Sequence, residues 1–149
     1  MLDSTSRRQV LGAAVASLAL PLLAKLPTAE AAADGGTWIA AGKVADLADG
    51  GYLVVEGQPI VLARTGSSVV ALSTKCTHKG CAVSPVKTRA GVLKCKCHGA
   101  EFDLNGDVTR APAKEGLPRY AVRIKEGAIE VNLGMKLAAD DATGVATIG

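Results

Sequence analysis

The sequence predicts an all-β domain, a sandwich or barrel of short antiparallel strands. Three observations carry this. Runs rich in Val, Ile, Leu and Tyr recur at near-regular spacing, glycine-containing turns separate them, and no long helical period interrupts residues 37–133. The length agrees, since 118 of the 149 residues remain after residue 31, enough for one modest core.

Trp38 to Val44 opens the domain as a first strand. Tyr52 to Val55 and Pro59 to Arg64 follow, with Gly57-Gln58 as their turn. Gly66-Ser67 makes a second turn, and Val69 to Leu72 then runs directly towards a cysteine-containing segment. Gly91 to Lys94 runs into a second such segment, and Glu101 to Leu104 leaves it, closed by Asn105-Gly106. A hairpin of Arg119 to Lys125 and Ala128 to Leu133, joined at Glu126-Gly127, ends the fold. Residues 134–149 show little periodicity and read as a loose C-terminal tail. Trp38, Tyr52 and Tyr120 are expected in the core or at its rim.

The chemistry is concentrated in two short segments. Cys76-Thr77-His78-Lys79-Gly80-Cys81 and Cys95-Lys96-Cys97-His98-Gly99 hold all four cysteines and both histidines of the chain. Such a concentration of soft donors points to a metal site. Structural zinc usually uses Cys-x2-4-Cys and His-x3-5-His spacings, whereas here each segment pairs one Cys with one nearby His. Six donors are too many for one tetrahedral ion. A 2Fe-2S cluster fits better, with two thiolates on one iron and two imidazoles on the other, leaving Cys81 and Cys97 as a further pair. A zinc-stabilised binding module remains the alternative from another class.

The paired boxes C-T-H-K-G-C and C-K-C-H-G resemble those of the Rieske iron–sulfur proteins, of the high-potential, disulfide-containing type, over about residues 37 to 133. The resemblance implies a Rieske-like antiparallel β-sandwich or barrel with two cluster-binding loops at one tip. It implies Cys76 and Cys95 on one iron and His78 and His98 on the other, as cofactor and metal ligands. It also implies a disulfide between Cys81 and Cys97, with the imidazoles at the outer edge. Gly80 and Gly99 fall on the family's loop glycines, and Thr109 to Ala113 resembles its proline loop, with Ala111 where glycine is common.

Two departures bear on potential. The respiratory type reads C-P-C-H-G-S-x-Y-D in the second box, and this chain reads C-K-C-H-G-A-E-F-D. Ala100 and Phe102 stand where a serine and a tyrosine would donate hydrogen bonds to sulfur. Such donors stabilise the reduced cluster, so their loss predicts an intermediate potential. Charge works in the opposite direction: no acidic residue lies between Gly57 and Ala100, while Arg64, Lys75, Lys79, Lys87, Arg89, Lys94 and Lys96 do. This cluster is expected either to favour reduction and dock an acidic partner or to be a solvated basic surface. From Ala32 onward there are 14 basic and 12 acidic residues, a balance with nothing to suggest nucleic acid binding.

Residues 1–31 resemble a twin-arginine export signal. Ser6-Arg7-Arg8-Gln9-Val10-Leu11 precedes an apolar run from Val10 to Leu26, and Ala29-Glu30-Ala31 supplies a small-x-small cleavage pattern. Export after folding suits a cytoplasmically assembled cluster, and a periplasmic location lets a disulfide persist. The apolar run of 17 residues spans about 25 Å as helix against a hydrocarbon core of about 30 Å, and Pro21 interrupts it, which favours cleavage. If retained, residues 10–26 would anchor the protein to the membrane, with 32–36 as part of a flexible linker.

The expected function is one-electron transfer in a periplasmic or membrane-bound redox chain, as carrier or subunit of a larger oxidoreductase and not as a catalyst alone. The expected partner is a cytochrome b or c, or the large subunit of a periplasmic oxidoreductase. One form is the small subunit of an arsenite-oxidase-like enzyme, and another is the Rieske subunit of a cytochrome bc-type quinol oxidase. The export signal and the Cys81/Cys97 pair argue against a cytosolic dioxygenase ferredoxin.

Overall fold

The computed structural model describes residues 36–149; the signal or anchor expected over 1–31 and most of the linker over 32–36 lie outside the described residues. Eleven strands form two antiparallel sheets. The larger contains β1 (Trp38–Lys43), β2 (Tyr52–Val55), β3 (Ile60–Thr65), β4 (Ser68–Ser73), β9 (Arg119–Lys125), β10 (Ala128–Leu137) and β11 (Val145–Thr147). Its order is β1-β10-β9-β4-β3-β2, with β11 added to β4. The smaller has the order β5 (Val83–Pro85), β6 (Leu93–Cys95), β7 (Glu101–Phe102) and β8 (Val108–Arg110). The all-β expectation holds.

The large sheet curls so that its outer strands meet. Gly42 of β1 lies so close to β2 that a Cβ there would come within 2.6 Å of Leu53. Inside the curl, Ile60, Leu62, Val69, Ala71, Ile129 and Val131 are fully buried or nearly so. The opposite face of β3 and β4, through Val61, Ala63, Val70 and Leu72, packs on Leu93, Phe102 and Leu104 of the small sheet and its flank. Strands β3 and β4 are therefore covered on both faces, which is why their sequences run as near-continuous apolar stretches without alternation. Burying each large side chain of this kind contributes roughly 1.5–3 kcal/mol.

The expected loose tail over 134–149 is corrected by the structure. Strand β10 continues to Leu137, and β11 pairs with β4 through Val145↔Val70, Ala146↔Val69 and Thr147↔Ser68. The physical reason lies in β4. Strand β9 pairs only with its last part, through Ala71↔Tyr120 and Leu72↔Arg119, and leaves the earlier backbone groups open for β11. Buried Arg119 helps hold the tail, donating to the carbonyls of Asp141 (3.2 Å) and Asn105 (3.1 Å). The Asp141 carboxylate accepts from the backbone N–H (2.9 Å) and hydroxyl (2.6 Å) of Thr143, opening the 3-10 turn Ala142–Gly144.

Strands β5, β8 and β11, each three residues long, were not expected from sequence. They are too short to show a period, and neighbouring strands supply the pairing that defines them.

Candidate metal centre

Both cysteine segments are loops at one end of the small sheet's strands. The first joins β4 to β5, and the second joins β6 to β7. They share one local structure. In each, the leading cysteine's N–H donates to the carbonyl five residues on: Cys76 to Cys81 at 2.8 Å, and Cys95 to Ala100 at 2.8 Å. In each, the backbone amides two and three residues on point at the leading sulfur, from His78 and Lys79 to Cys76 and from Cys97 and His98 to Cys95. Four residues on, each loop has a glycine in the left-handed region, Gly80 at φ 71° and Gly99 at φ 73°. A side chain there would oppose the reversal that turns the amides inward. The two loops differ in where the histidine falls, the second residue after the leading cysteine in one and the third in the other.

The donors sort by depth. Cys76 and Cys95 are 3% and 2% exposed, while both imidazoles are exposed. The two thiols hydrogen-bond to each other, and the His78 and His98 rings stand edge to face with centroids 5.0 Å apart. Burial, aided by the contact with Cys95, pushes the Cys76 thiol up. Burial would also raise Cys95, but the amides of Cys97 and His98 and the Cys76 thiol outweigh it and hold Cys95 low. The expected disulfide joins Cys81 to Cys97 across a Cα separation of 6.2 Å and ties the two loops. The N–H of Lys96 reinforces it, donating to the Ala82 carbonyl at 3.1 Å.

A third loop, between β8 and β9, closes the site from the side. Pro112, Lys114 and Glu115 line an open hollow of about 510 Å³ with Thr77 and His78. The Thr77 hydroxyl donates to the Glu115 carbonyl at 2.7 Å and clips this loop to the first. Pro112, in the segment resembling a proline loop, thus lies beside His78.

Behind the second loop sits Glu101, a residue given no structural role in the sequence. Its side chain is 8% exposed and is met by Arg89 (2.6 and 3.1 Å), Arg110 (3.6 Å) and Lys94 (3.7 Å). Lys94 and Arg110 are its register partners on β6 and β8, so the strand order itself delivers them. Arg89 arrives from the β5–β6 turn, and only folding could reveal it. The paired Arg89, more than any other neighbour, holds the Glu101 carboxyl below its ordinary value. Folded Glu101 therefore releases its proton more readily than unfolded Glu101. Its stabilising effect is complete above the usual carboxylate range and is lost as pH falls below it. Melts of the wild type should lose stability in that acid window, and the loss should shrink in Glu101→Gln; equal acid sensitivity in both proteins would remove this role.

The donor arrangement suits a binuclear centre. Among the described residues, no three His, Cys, Asp or Glu side chains group around one ion. The donors instead form two pairs, thiols inside and imidazoles outside, each able to serve a separate iron.

The family model described as "Rieske [2Fe-2S] domain" matches residues 37–121, more than half of the chain. The chain belongs to this family. Its cofactor is accordingly one 2Fe-2S cluster, which supplies one-electron redox chemistry when bound. The Rieske chain is similar to the carotenoid phi-ring synthase of Chlorobaculum tepidum, 43% identical over 67 residues, which cover 45% of this chain and 10% of that protein. It is also similar to the cytochrome b6-f complex iron-sulfur subunit of the same organism, 30% identical over 97 residues, covering 64% and 53%. Among solved structures, it is similar to the cyanobacterial plasma membrane Rieske protein PetC3 from Synechocystis PCC 6803. That structure is 36% identical with a TM-score of 0.53, covering 63% of this chain and 98% of the other. The chain spans about half or less of the length of the two curated relatives, 53% and 10%.

Proposed function

We propose that this Rieske protein passes single electrons between protein partners in an exported redox chain, with Cys76, Cys95, His78 and His98 holding the cluster. The observation that carries this is the depth order of the donors: buried thiols anchor one side, and the exposed imidazoles offer a short route to a partner. Any substrate turnover then belongs to a partner. The partner is a cytochrome b or c, or the large subunit of a periplasmic oxidoreductase such as an arsenite-oxidase-like enzyme.

Residues 1–31 are proposed to direct twin-arginine export, with 10–26 as the alternative membrane anchor and 32–36 as linker. No helix among the described residues is long and apolar enough to cross a membrane. A second reading is the Rieske subunit of a cytochrome bc-type quinol oxidase, and similarity to cytochrome b6-f iron-sulfur subunits favours it.

Potential separates the two. Ala100 and Phe102 are 0% exposed and share one apolar cluster with Cys76 and Cys95, so the surroundings of the sulfurs hold no hydroxyl at these two positions. An EPR-monitored redox titration should give a Rieske spectrum with a potential clearly below roughly +300 mV. A value at that upper limit, falling with pH, would favour the quinol-oxidase reading. Phe102→Tyr should raise the potential by about 40–90 mV, the one-electron equivalent of a hydrogen bond worth ~1–2 kcal/mol more to the reduced form. An unchanged or lower potential with an intact spectrum would refute the missing-donor account.

A further inference from the structure

The three loops around the imidazoles all carry exposed lysine: Lys75 and Lys79 in the first, Lys96 in the second and Lys114 in the third. Among the described residues, none of their side chains has an ion-pair or hydrogen-bond partner. Lys79 adjoins His78, Lys96 lies two residues before His98, and Lys114 lines the hollow beside His78. Three other cations of the basic stretch are already engaged, while Lys87 stays exposed. Arg89 and Lys94 face Glu101, and Arg64 donates to the carbonyls of Gly66 and Leu47. The structure thus divides a basic stretch that looks uniform in sequence. One part stabilises the fold, and another surrounds the exposed end of the metal centre. The nearest opposing charge on these loops is Glu115, which lines the same hollow; Asp107 and Asp140 line the adjoining one.

We propose that this lysine rim is a docking face for an electron-transfer protein whose own redox edge is ringed by carboxylates. The proposal rests on the electron-transfer reading above and adds the chemistry of the partner. Lysine suits the role. Its compact, strongly hydrated ammonium attracts at a distance but lacks arginine's two-point carboxylate grip. Rim charges of this kind speed encounter more than they slow release, as a carrier that must turn over requires. An anionic membrane surface is the competing occupant, and it would call for apolar residues among the lysines. Among the described residues, the large exposed apolar side chains are Val54 on β2 and Met135 on β10, and neither lies on these loops.

The test uses the cluster-loaded full chain, reduced and mixed in stopped flow with two ferric c-type cytochromes, one with an acidic haem edge and one with a basic edge. One electron leaves the reduced protein and converts ferric haem to ferrous haem. At low salt the acidic cytochrome should react about tenfold or more faster at matched driving force, and the advantage should fade as salt rises. K79Q/K96Q/K114Q should remove most of that advantage. K43Q/K125Q removes two charges at the opposite end, where β9 turns into β10, and should leave it in place. Equal rates, a faster basic cytochrome, or equal losses in both variants would overturn the proposal. So would sedimentation of the full chain with phosphatidylglycerol vesicles without any preference for the acidic cytochrome. EPR of the same samples keeps the two levels apart: a missing Rieske spectrum defeats the electron-transfer reading, whereas an intact spectrum without charge dependence defeats only the docking face.

Discussion

Cys95→Ser should abolish cluster binding, leaving the purified protein without a Rieske EPR signal and with iron near background. The same result is expected for Cys76→Ser, His78→Ala and His98→Ala. Cys95 is buried, receives the amides of Cys97 and His98, and touches the Cys76 thiol, an environment that lowers the cost of a thiolate there. A serine hydroxyl is far harder to ionise and is a harder donor, so it cannot replace the sulfur. His78 and His98 have no substitute, because they are the only histidines in the chain. Metal analysis and EPR of each variant check the assignment. A wild-type spectrum from any of the four would remove that residue from the ligand set, and zinc in place of iron in the wild type would reject the cluster altogether.

Loss of the Cys81–Cys97 disulfide should have the next largest effect. It closes a segment 16 residues long, for which the chain-entropy estimate is roughly 3 kcal/mol. For a domain of this size that corresponds to a fall in Tm of about 10 °C. The effect should be greatest at the metal centre, since the disulfide ties the loop carrying His78 to the loop carrying His98. The double variant Cys81→Ser/Cys97→Ser avoids leaving an unpaired thiol. It should melt earlier and release iron faster than the wild type, as followed by calorimetry and by loss of the visible cluster absorbance. Unchanged melting and iron retention would mean that the Lys96-to-Ala82 hydrogen bond and the Thr77-to-Glu115 clip suffice to hold the loops.

The candidate donors were legible in the sequence because they are local. Cys76 with His78 and Cys95 with His98 lie within two turns of chain whose spacing carries a chemical meaning. The long strands were legible too, as apolar runs bounded by glycine turns. Much else about the site was not. The basic stretch from Arg64 to Lys96 looks uniform, yet Arg89 and Lys94 turn towards Glu101 while Lys79 and Lys96 remain at the rim. Which cation meets a given carboxylate depends on the register of β6, β7 and β8, and two of these strands have only three residues and one has two. The clip from Thr77 to Glu115 joins residues 38 apart and has no signature of its own.

The C-terminal segment shows the same limit. Residues 134–149 lack periodicity because β11 has three residues and owes its shape to an edge left open on β4. By itself, then, the sequence determined the cofactor class, the candidate donors and the all-β character of the domain, since these follow from residue identity and spacing along the chain. Tertiary structure alone decided the burial of the thiols, the division of the lysines and the docking of the tail, since each arises between segments distant in sequence.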